Sequence, residues 1–295
     1  MSDSDQYYVP HPSKWPIITA IGLGMLAIGA ATCFHGDAYG PYILGIGALC
    51  MVYIMIGWFS AVINESQSDL YNAQVDRTFR WGMFWFIFSE VMFFAGFFGA
   101  LFYMRNFSVP WLGGEGAFNK LGTHEFLWPS FVAQWPLLHN PSPQLFPDPT
   151  HDMPALWLPL INTFTLLTSS VTITFAHHAL LQNKRIILST MLFATILLGL
   201  GFLCLQAIEY HEAYTVFKMR LDSGAYGTTF FTLTGFHGLH VSIGAIMLSV
   251  MLIRCLRGHF TPQHHFAFQA AAWYWHFVDV VWLCLFMYVY VLPLR

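Results

Sequence analysis

Charged residues are scarce in this sequence. Asp, Glu, Lys and Arg make up 9% of its 295 residues, whereas a soluble domain carries about 25%. Hydrophobic residues account for 56% and aromatic residues for 18%. One membrane anchor would not explain so large a deficit, so much of the chain must face lipid or other apolar helices. The net charge of −3 argues against a nucleic-acid partner.

Cysteine is also sparse, and its placement excludes further classes. None of the five cysteines forms a C-x-x-C pair, and all lie within or at the edge of apolar segments. Neither a disulfide framework nor a thiolate metal site is therefore indicated. The first residues lack the basic start of a secretory signal, since Asp3 and Asp5 stand against a single Lys14. We expect the first apolar segment to stay in the mature protein.

Long apolar stretches dominate what is present. A bilayer core about 30 Å thick takes about 20 apolar residues per helix. Seven stretches meet that length: 16–34, 41–63, 81–103, 155–180, 186–209, 229–253 and 269–292. The longest connection, 104–153, is rich in proline and glycine and is expected to be an extramembrane loop. The sequence therefore predicts an all-α polytopic membrane protein, with seven transmembrane helices in a single membrane domain, 1–295.

The basic residues that flank these stretches predict their orientation, because cytoplasmic helix ends carry an excess of Lys and Arg. With the N-terminus inside, seven of the 12 basic residues lie on the cytoplasmic side: Lys14, Arg77, Arg80, Lys184, Arg185, Arg254 and Arg257. The other side carries Arg105, Lys120, Lys218, Arg220 and Arg295. We expect an N-in, C-out arrangement.

Glu90 is a polar residue whose position needs an explanation. It lies nine residues into the third stretch, about 13 Å from the start of that stretch at 1.5 Å per residue. An ionised acid at mid-bilayer costs roughly 2.5–3.5 kcal/mol. Its neighbours three and four positions away are all apolar, so we expect a neutral acid. A functional group and a carboxyl that makes one interhelical hydrogen bond both stay open.

Two pairs of polar residues lie in the last two apolar stretches. Asp279 follows His276 by three positions, so the two share a helix face and can share a hydrogen bond. His237 and His240 are also three apart, a spacing that would let both imidazoles reach one metal ion. For each pair the alternative is a polar clamp between helices, and the glycines beside His237 favour close helix approach.

Two residues near predicted helix ends suit an anionic phospholipid. Arg254 can pair with phosphate through two N–H groups, and Trp58 has the ring that prefers the headgroup level. The alternative is that both are ordinary interfacial anchors.

Four segments resemble one family closely. They are 226–241 (YGTTFFTLTGFHGLHV), 270–283 (AAAWYWHFVDVVWL), 89–94 (SEVMFF) and 176–178 (AHH). Together they are similar to subunit III of haem–copper cytochrome c oxidase, and the resemblance spans nearly the whole chain. Phe59 and Ser60 depart from it, because the family often has a second Trp and an Arg there. Gly99 stands where a Trp is common.

The resemblance implies a subunit without haem or copper of its own, in which helices one and two splay from helices three to seven around a lipid-filled cleft. The implied partners are oxidase subunit I in direct contact, subunit II, small accessory subunits, and cytochrome c at the level of the complex. Haem and copper would lie in the partner subunits. The complex would reduce oxygen to water with electrons from cytochrome c and pump protons, while this chain supports proton uptake and the stability of subunit I.

The same resemblance assigns residues and a compartment. Trp58, Glu65 and Arg254 match its phospholipid contacts, and Glu90 matches its buried acid. The expected location is the bacterial cytoplasmic (inner) membrane, with the mitochondrial inner membrane as the alternative.

Three other hypotheses compete with this one. Subunit III of a quinol oxidase is related, but many of those lack the first two helices. A membrane di-iron hydroxylase would need histidine boxes, and the Glu209 to Glu212 run has the wrong spacing for its E-x-x-H element, so we interpret that run as an interfacial polar cap. An ion-coupled transporter would show broken helices or repeated halves, which the sequence lacks.

Overall fold

The computed structural model describes residues 8, 12–68, 70–115 and 122–292. Within those ranges it contains seven helices long and apolar enough to cross a membrane, which confirms the predicted fold class. They are α1 (Trp15–His35), α2 (Gly40–Gln67), α3 (Ala73–Tyr103), α4 (Leu158–Leu181), α5 (Arg185–Thr215), α6 (Gly224–Leu256) and α7 (Phe266–Leu285). A π-helical turn, Phe286–Val291, continues α7, and another, Met104–Ser108, continues α3.

Internal contacts divide the chain into two compact units, 1–81 and 82–295. The first unit holds α1, α2 and the first turns of α3. The second holds the rest of α3 together with α4 to α7. The long helices are therefore grouped as two and five, as expected.

Several helices extend beyond the apolar stretches that predicted them. Helix α3 begins at Ala73 rather than 81 because the side chain of Asn72 accepts hydrogen bonds from the backbone N–H groups of Gln74 and Val75. Such a cap satisfies donors that a helix start leaves free. Asp76 and Arg80 then form an ion pair of 2.7 Å one turn apart. Helix α5 continues to Thr215, six residues past the predicted end at 209.

Glycines allow α1 and α2 to pack closely within the first unit. A Cβ atom at Gly47 would lie 2.9 Å from the backbone nitrogen of Leu26, and one at Gly29 would collide with the backbone of Leu44. Small residues let apolar helices approach in this way, which is the main source of helix association in lipid. Helix α1 ends at Gly36, whose φ of 80° few other residues adopt.

The second unit is organised around Trp275 of α7, which is completely buried. A Cβ atom at Gly199 of α5 would lie 2.5 Å from its indole ring, and one at Gly244 of α6 would lie 2.8 Å away. Two side-chain-free positions on neighbouring helices thus accommodate the largest side chain in the core. Helices α4 and α5 are antiparallel neighbours, and the hydroxyls of Thr172 and Thr195 lie 2.8 Å apart.

The described part of the 104–153 connection is attached to the turn between α5 and α6. The N–H group of Thr150 donates to the carbonyl of Phe217 at 2.8 Å. The side chain of Asn140 donates to the carbonyl of Ser223, and the hydroxyl of Tyr226 accepts from the N–H group of Met153. We call this side of the second unit its loop end.

Candidate functional site: polar contacts inside the second unit

Glu90 and His240 form the most direct polar contact between two of the singled-out residues. Nε2 of His240 lies 2.9 Å from a carboxylate oxygen of Glu90, which joins α3 to α6. The rings of Phe93 and Phe94 lie against the imidazole, with centroids 5.9 and 5.0 Å away. Glu90 therefore has its hydrogen-bond partner on α6, whereas its neighbours on α3 are apolar.

The second nitrogen of His240 determines how many protons this pair holds. Nδ1 lies 2.7 Å from the carbonyl oxygen of Phe236, which can only accept, so Nδ1 carries a hydrogen. In a neutral imidazole Nε2 is then an acceptor, and the carboxylic acid of Glu90 must donate to it. If that proton moves to His240, the result is an imidazolium–carboxylate pair. In both forms one proton is shared and the pair has no net charge.

His237 does not join its neighbour in a common site. Its Nε2 lies 3.2 Å from the carbonyl oxygen of Val278 on α7, whereas His240 bonds to α3. Its ring packs between those of Phe202 and Trp282, with centroids 5.4 and 5.1 Å away. The two imidazoles have different partners, as the clamp interpretation expects. Across the described ranges, no group of three or more His, Cys, Asp or Glu residues could hold a metal ion.

His276 and Asp279 face each other along α7. Nδ1 of His276 lies 3.7 Å from a carboxylate oxygen of Asp279, which is longer than a direct hydrogen bond. The same nitrogen lies 2.8 Å from the hydroxyl oxygen of Ser170 on α4. Asp279 is buried, and the imidazole is partly exposed. The predicted pair is thus brought together, with a serine of a second helix as its closest hydrogen-bond partner.

Two tryptophans extend this connection between α4 and α7. The indole N–H groups of Trp275 and Trp282 each donate at 2.9 Å, to Ser169 and Thr163 respectively. Each hydroxyl in turn donates to a carbonyl of its own helix. All four polar groups are therefore paired in a buried interface, and these bonds join α4 to α7.

The residues proposed for phospholipid lie in different units, so each is described within its own. In the first unit Trp58 is 44% exposed, and Glu65 accepts a hydrogen bond of 2.8 Å from the hydroxyl of Tyr71. Partial burial, followed by the hydrogen bond to Glu65 and its charge, raises the pKa of the Tyr71 phenol. In the second unit the Arg254 guanidinium lies over the ring of Phe260 at 4.4 Å. Its Nε atom is buried and has no hydrogen-bond partner among the described residues.

Comparison with known proteins adds the family. The profile of the family described as cytochrome c oxidase subunit III matches residues 5–293. The chain belongs to the cytochrome c oxidase subunit III family. It is 40% identical to cytochrome c oxidase subunit 3 of Struthio camelus over 285 residues, which covers 96% of each chain. It is 41% identical to that of Pan troglodytes over 288 residues, which covers 97% of each.

Membership of the subunit III family decides between the sequence hypotheses. It confirms the resemblance found in the helix motifs and replaces the hydroxylase and transporter hypotheses. The chain is a multi-pass membrane component of the respiratory chain, in a complex whose activity is that of an oxidoreductase.

Sequence reasoning missed one acid in this subunit III chain. Glu209, interpreted above as part of an interfacial cap, is 1% exposed. The predicted helix ended at this residue, whereas α5 runs on to Thr215, so Glu209 lies inside the helix. Its relation to Gln206, one turn earlier on the same face, was the available signal, because two polar residues three apart mark a polar patch on an otherwise apolar helix.

Proposed function

We propose that this chain is the non-catalytic subunit III of a terminal oxidase that reduces oxygen to water with electrons from cytochrome c and pumps protons. Its role is to support proton uptake by subunit I and to stabilise that subunit. Haem and copper lie in the partner subunits. The family match over nearly the whole chain is the observation that carries this proposal.

The polar contacts of the second unit support a framework role in this proposal. The Glu90–His240 pair has no net charge, and its groups are already bonded to one another. The two tryptophan–hydroxyl bonds are likewise complete. Such groups fix the packing of α3, α4, α6 and α7, and a rigid helix surface is what a catalytic neighbour needs for stable contact.

We also propose that phospholipid contacts Arg254, Trp58 and Glu65. An unpartnered guanidinium nitrogen suits a phosphate oxygen, and an exposed indole suits the headgroup level. Replacing Arg254 by Ala is expected to lower the phospholipid retained by the purified complex. The exposed Arg257 is the control, and Arg257→Ala should retain lipid at the wild-type level. Equal lipid content in both variants, measured by mass spectrometry, would contradict this proposal.

The proposed setting is the bacterial cytoplasmic membrane, or the mitochondrial inner membrane as the second candidate. The N-terminus is proposed to lie inside and the C-terminus outside, following the distribution of Lys and Arg. Val132→Cys and Asn183→Cys, each as the single cysteine of an otherwise cysteine-free chain, place the thiol at exposed positions. They should react with an impermeant reagent from opposite sides of the membrane. Labelling of 183 from the outside would reverse the topology.

Native purification tests the proposed partners. We expect the chain to copurify with subunits I and II, and the complex to show both haem and a dicopper centre. Direct contact with subunit I should appear as cross-links between the two chains. A complex with haem but without a dicopper centre would instead indicate a quinol oxidase, the second candidate.

A further inference from the structure

A second buried carboxyl group lies near the loop end of the second unit. Glu209 stands six residues before the end of α5, about 9 Å along the helix axis at 1.5 Å per residue. Both of its carboxylate oxygens are inaccessible and have no hydrogen-bond partner among the described residues. It differs in this from Glu90, which has an imidazole as its partner.

The polar groups near this carboxyl come from another element and from its own helix. The hydroxyl of Tyr290, in the π-helical turn that continues α7, faces Glu209 but forms no direct hydrogen bond of good geometry. Gln206 lies one turn earlier and donates from Nε2 to the carbonyl of Thr234 at 2.7 Å. Its Oε1 atom has no hydrogen-bond partner in the described part of the chain, and a Cβ atom on Gly238 would lie 2.8 Å from it.

A third helix contributes at the same level. The Thr172–Thr195 contact fixes the register of α4 against α5. The two helices run in opposite directions. Asn162 lies ten residues before Thr172, and the turn that contains Gln206 begins about ten residues after Thr195, so the two positions are level along the helix axes. Asn162 is completely buried, and both atoms of its amide lack a partner in the described part of the chain. Buried polar atoms are normally paired, so the unpaired amide of Asn162 is a further buried polar group of the second unit that needs an explanation.

The titratable groups recorded beside Glu209 are not cationic. The groups that act on it are Tyr290 and Glu212, and Glu212 contributes a like charge from one turn further along α5. Tyr210 and Tyr226 also lie near Tyr290, and neither is basic. No basic side chain of the described residues is among the groups that act on Glu209. A buried carboxylate without a cation loses its hydration, and no described basic group beside Glu209 compensates for that loss.

We propose that Glu209 is a second proton-binding site of this chain, occupied at neutral pH, with Tyr290 as its hydrogen-bond partner across α5 and the turn after α7. The ligand is a proton, taken up by the carboxylate to give a carboxylic acid. Its O–H group donates to the phenol oxygen of Tyr290. Because none of the described bases lies beside it, this acid keeps its proton, whereas the Glu90 proton is shared with His240.

Infrared spectroscopy of the intact oxidase complex tests the proposal. The difference spectrum between wild type and Glu209→Gln should show the loss of one C=O band of a protonated carboxylic acid at neutral pH. That band should persist well above the pH of about 4.3 at which exposed glutamates ionise. The matched control is Glu212→Gln, one turn away, which should remove carboxylate absorption and no acid band. Loss of carboxylate absorption in Glu209→Gln would overturn the proposal. A Glu209 carboxylate band that shifts when Na⁺ is added to the wild-type complex would also overturn it.

A second variant covers the case in which Glu209→Gln fails to assemble. Tyr290→Phe keeps the acid and removes the phenol, so the acid C=O band should shift to higher frequency as its hydrogen bond is lost. An unchanged band would show that Tyr290 is not the partner. These readouts do not depend on turnover, so a failure here is distinguishable from a failure of the proposed role in the oxidase.

Discussion

Nε2 of His240 and the carboxyl group of Glu90 lie 2.9 Å apart, although 150 positions separate the two residues in the chain. The carbonyl oxygen of Phe236 holds the Nδ1 hydrogen of the same imidazole. The pair therefore shares one proton and has no net charge, which lowers the cost of placing an acid inside a membrane helix. The sequence suggested a neutral acid at this position, and the structure adds the base that accepts its hydrogen bond.

This pair predicts the reaction of Glu90 with an apolar carbodiimide, which attacks protonated carboxyl groups. Glu90 is expected to be labelled in the wild-type chain, and Glu90→Gln should abolish the label. His240→Gln should increase the labelling rate severalfold, because the proton is no longer drawn towards an imidazole. Peptide mapping by mass spectrometry identifies the modified residue. Labelling of Asp279 with Glu90 unmodified would contradict the prediction.

The indole–hydroxyl bond between Trp275 and Ser169 is predicted to stabilise the α4–α7 interface. Ser169→Ala leaves the buried indole N–H of Trp275 unpaired and should destabilise the chain by about 1–3 kcal/mol. Trp275→Phe removes the same bond, although the Ser169 hydroxyl keeps its bond to the carbonyl of Leu166. The double variant should lose less than the sum, because both changes remove the same bond.

Thermal unfolding of the purified complex measures these effects. Ser189→Ala is the control, since the hydroxyl of Ser189, like that of Ser169, donates to a carbonyl of its own helix. It should have little effect. Additive losses in the double variant would show that Trp275 and Ser169 are not coupled.

The close approach of α5 to Trp275 predicts a difference between two glycines of one helix. A Cβ atom at Gly199 would lie 2.5 Å from the indole ring, whereas one at Gly201 meets no atom within 4 Å. Gly199→Ala should cost about 1–3 kcal/mol through overpacking. Gly201→Ala should be neutral or slightly stabilising, because alanine is the better helix former. Thermal midpoints of the two variants should differ by several degrees, and equal midpoints would refute this view of the core.

His259, in the connection after α6, predicts a pH dependence. Partial burial, followed by the positive charges of Arg254 and Arg257, lowers the pKa of its imidazole from the ordinary 6.5. Protonation therefore favours the unfolded chain, and stability should fall as the pH drops below about 6.5. His259→Gln should reduce that fall in the thermal midpoint. The exposed His264 is the control, and a His264→Gln variant with the same effect would show that position 259 is not special.

The sequence predicted the helices well because long apolar runs have one explanation in a membrane protein. It predicted them less well where polar residues continue a helix past its apolar part. The cap at Asn72 and the extension of α5 to Thr215 are of this kind. In the second case the burial of Glu209 was not predicted, because a polar residue at a predicted helix end is expected to be exposed to water.

Long-range partners were also beyond sequence reasoning. The spacing of His237 and His240 suggested a shared ligand, yet their bonds lead to α7 and α3. The partners depend on how the helices rotate and pack, which the pattern of one helix does not specify. The hydrogen bond from Tyr71 to Glu65 was not predicted either, although the two residues are only six positions apart.

Selective removal of this chain from the purified oxidase tests the central claim most directly. The account predicts that haem and copper per catalytic subunit stay unchanged and that initial oxygen consumption is largely retained. Activity should then decay after fewer turnovers than in the intact complex, and adding the chain back should restore the longer lifetime. Loss of haem or copper with the chain, or an unchanged number of turnovers before inactivation, would contradict it.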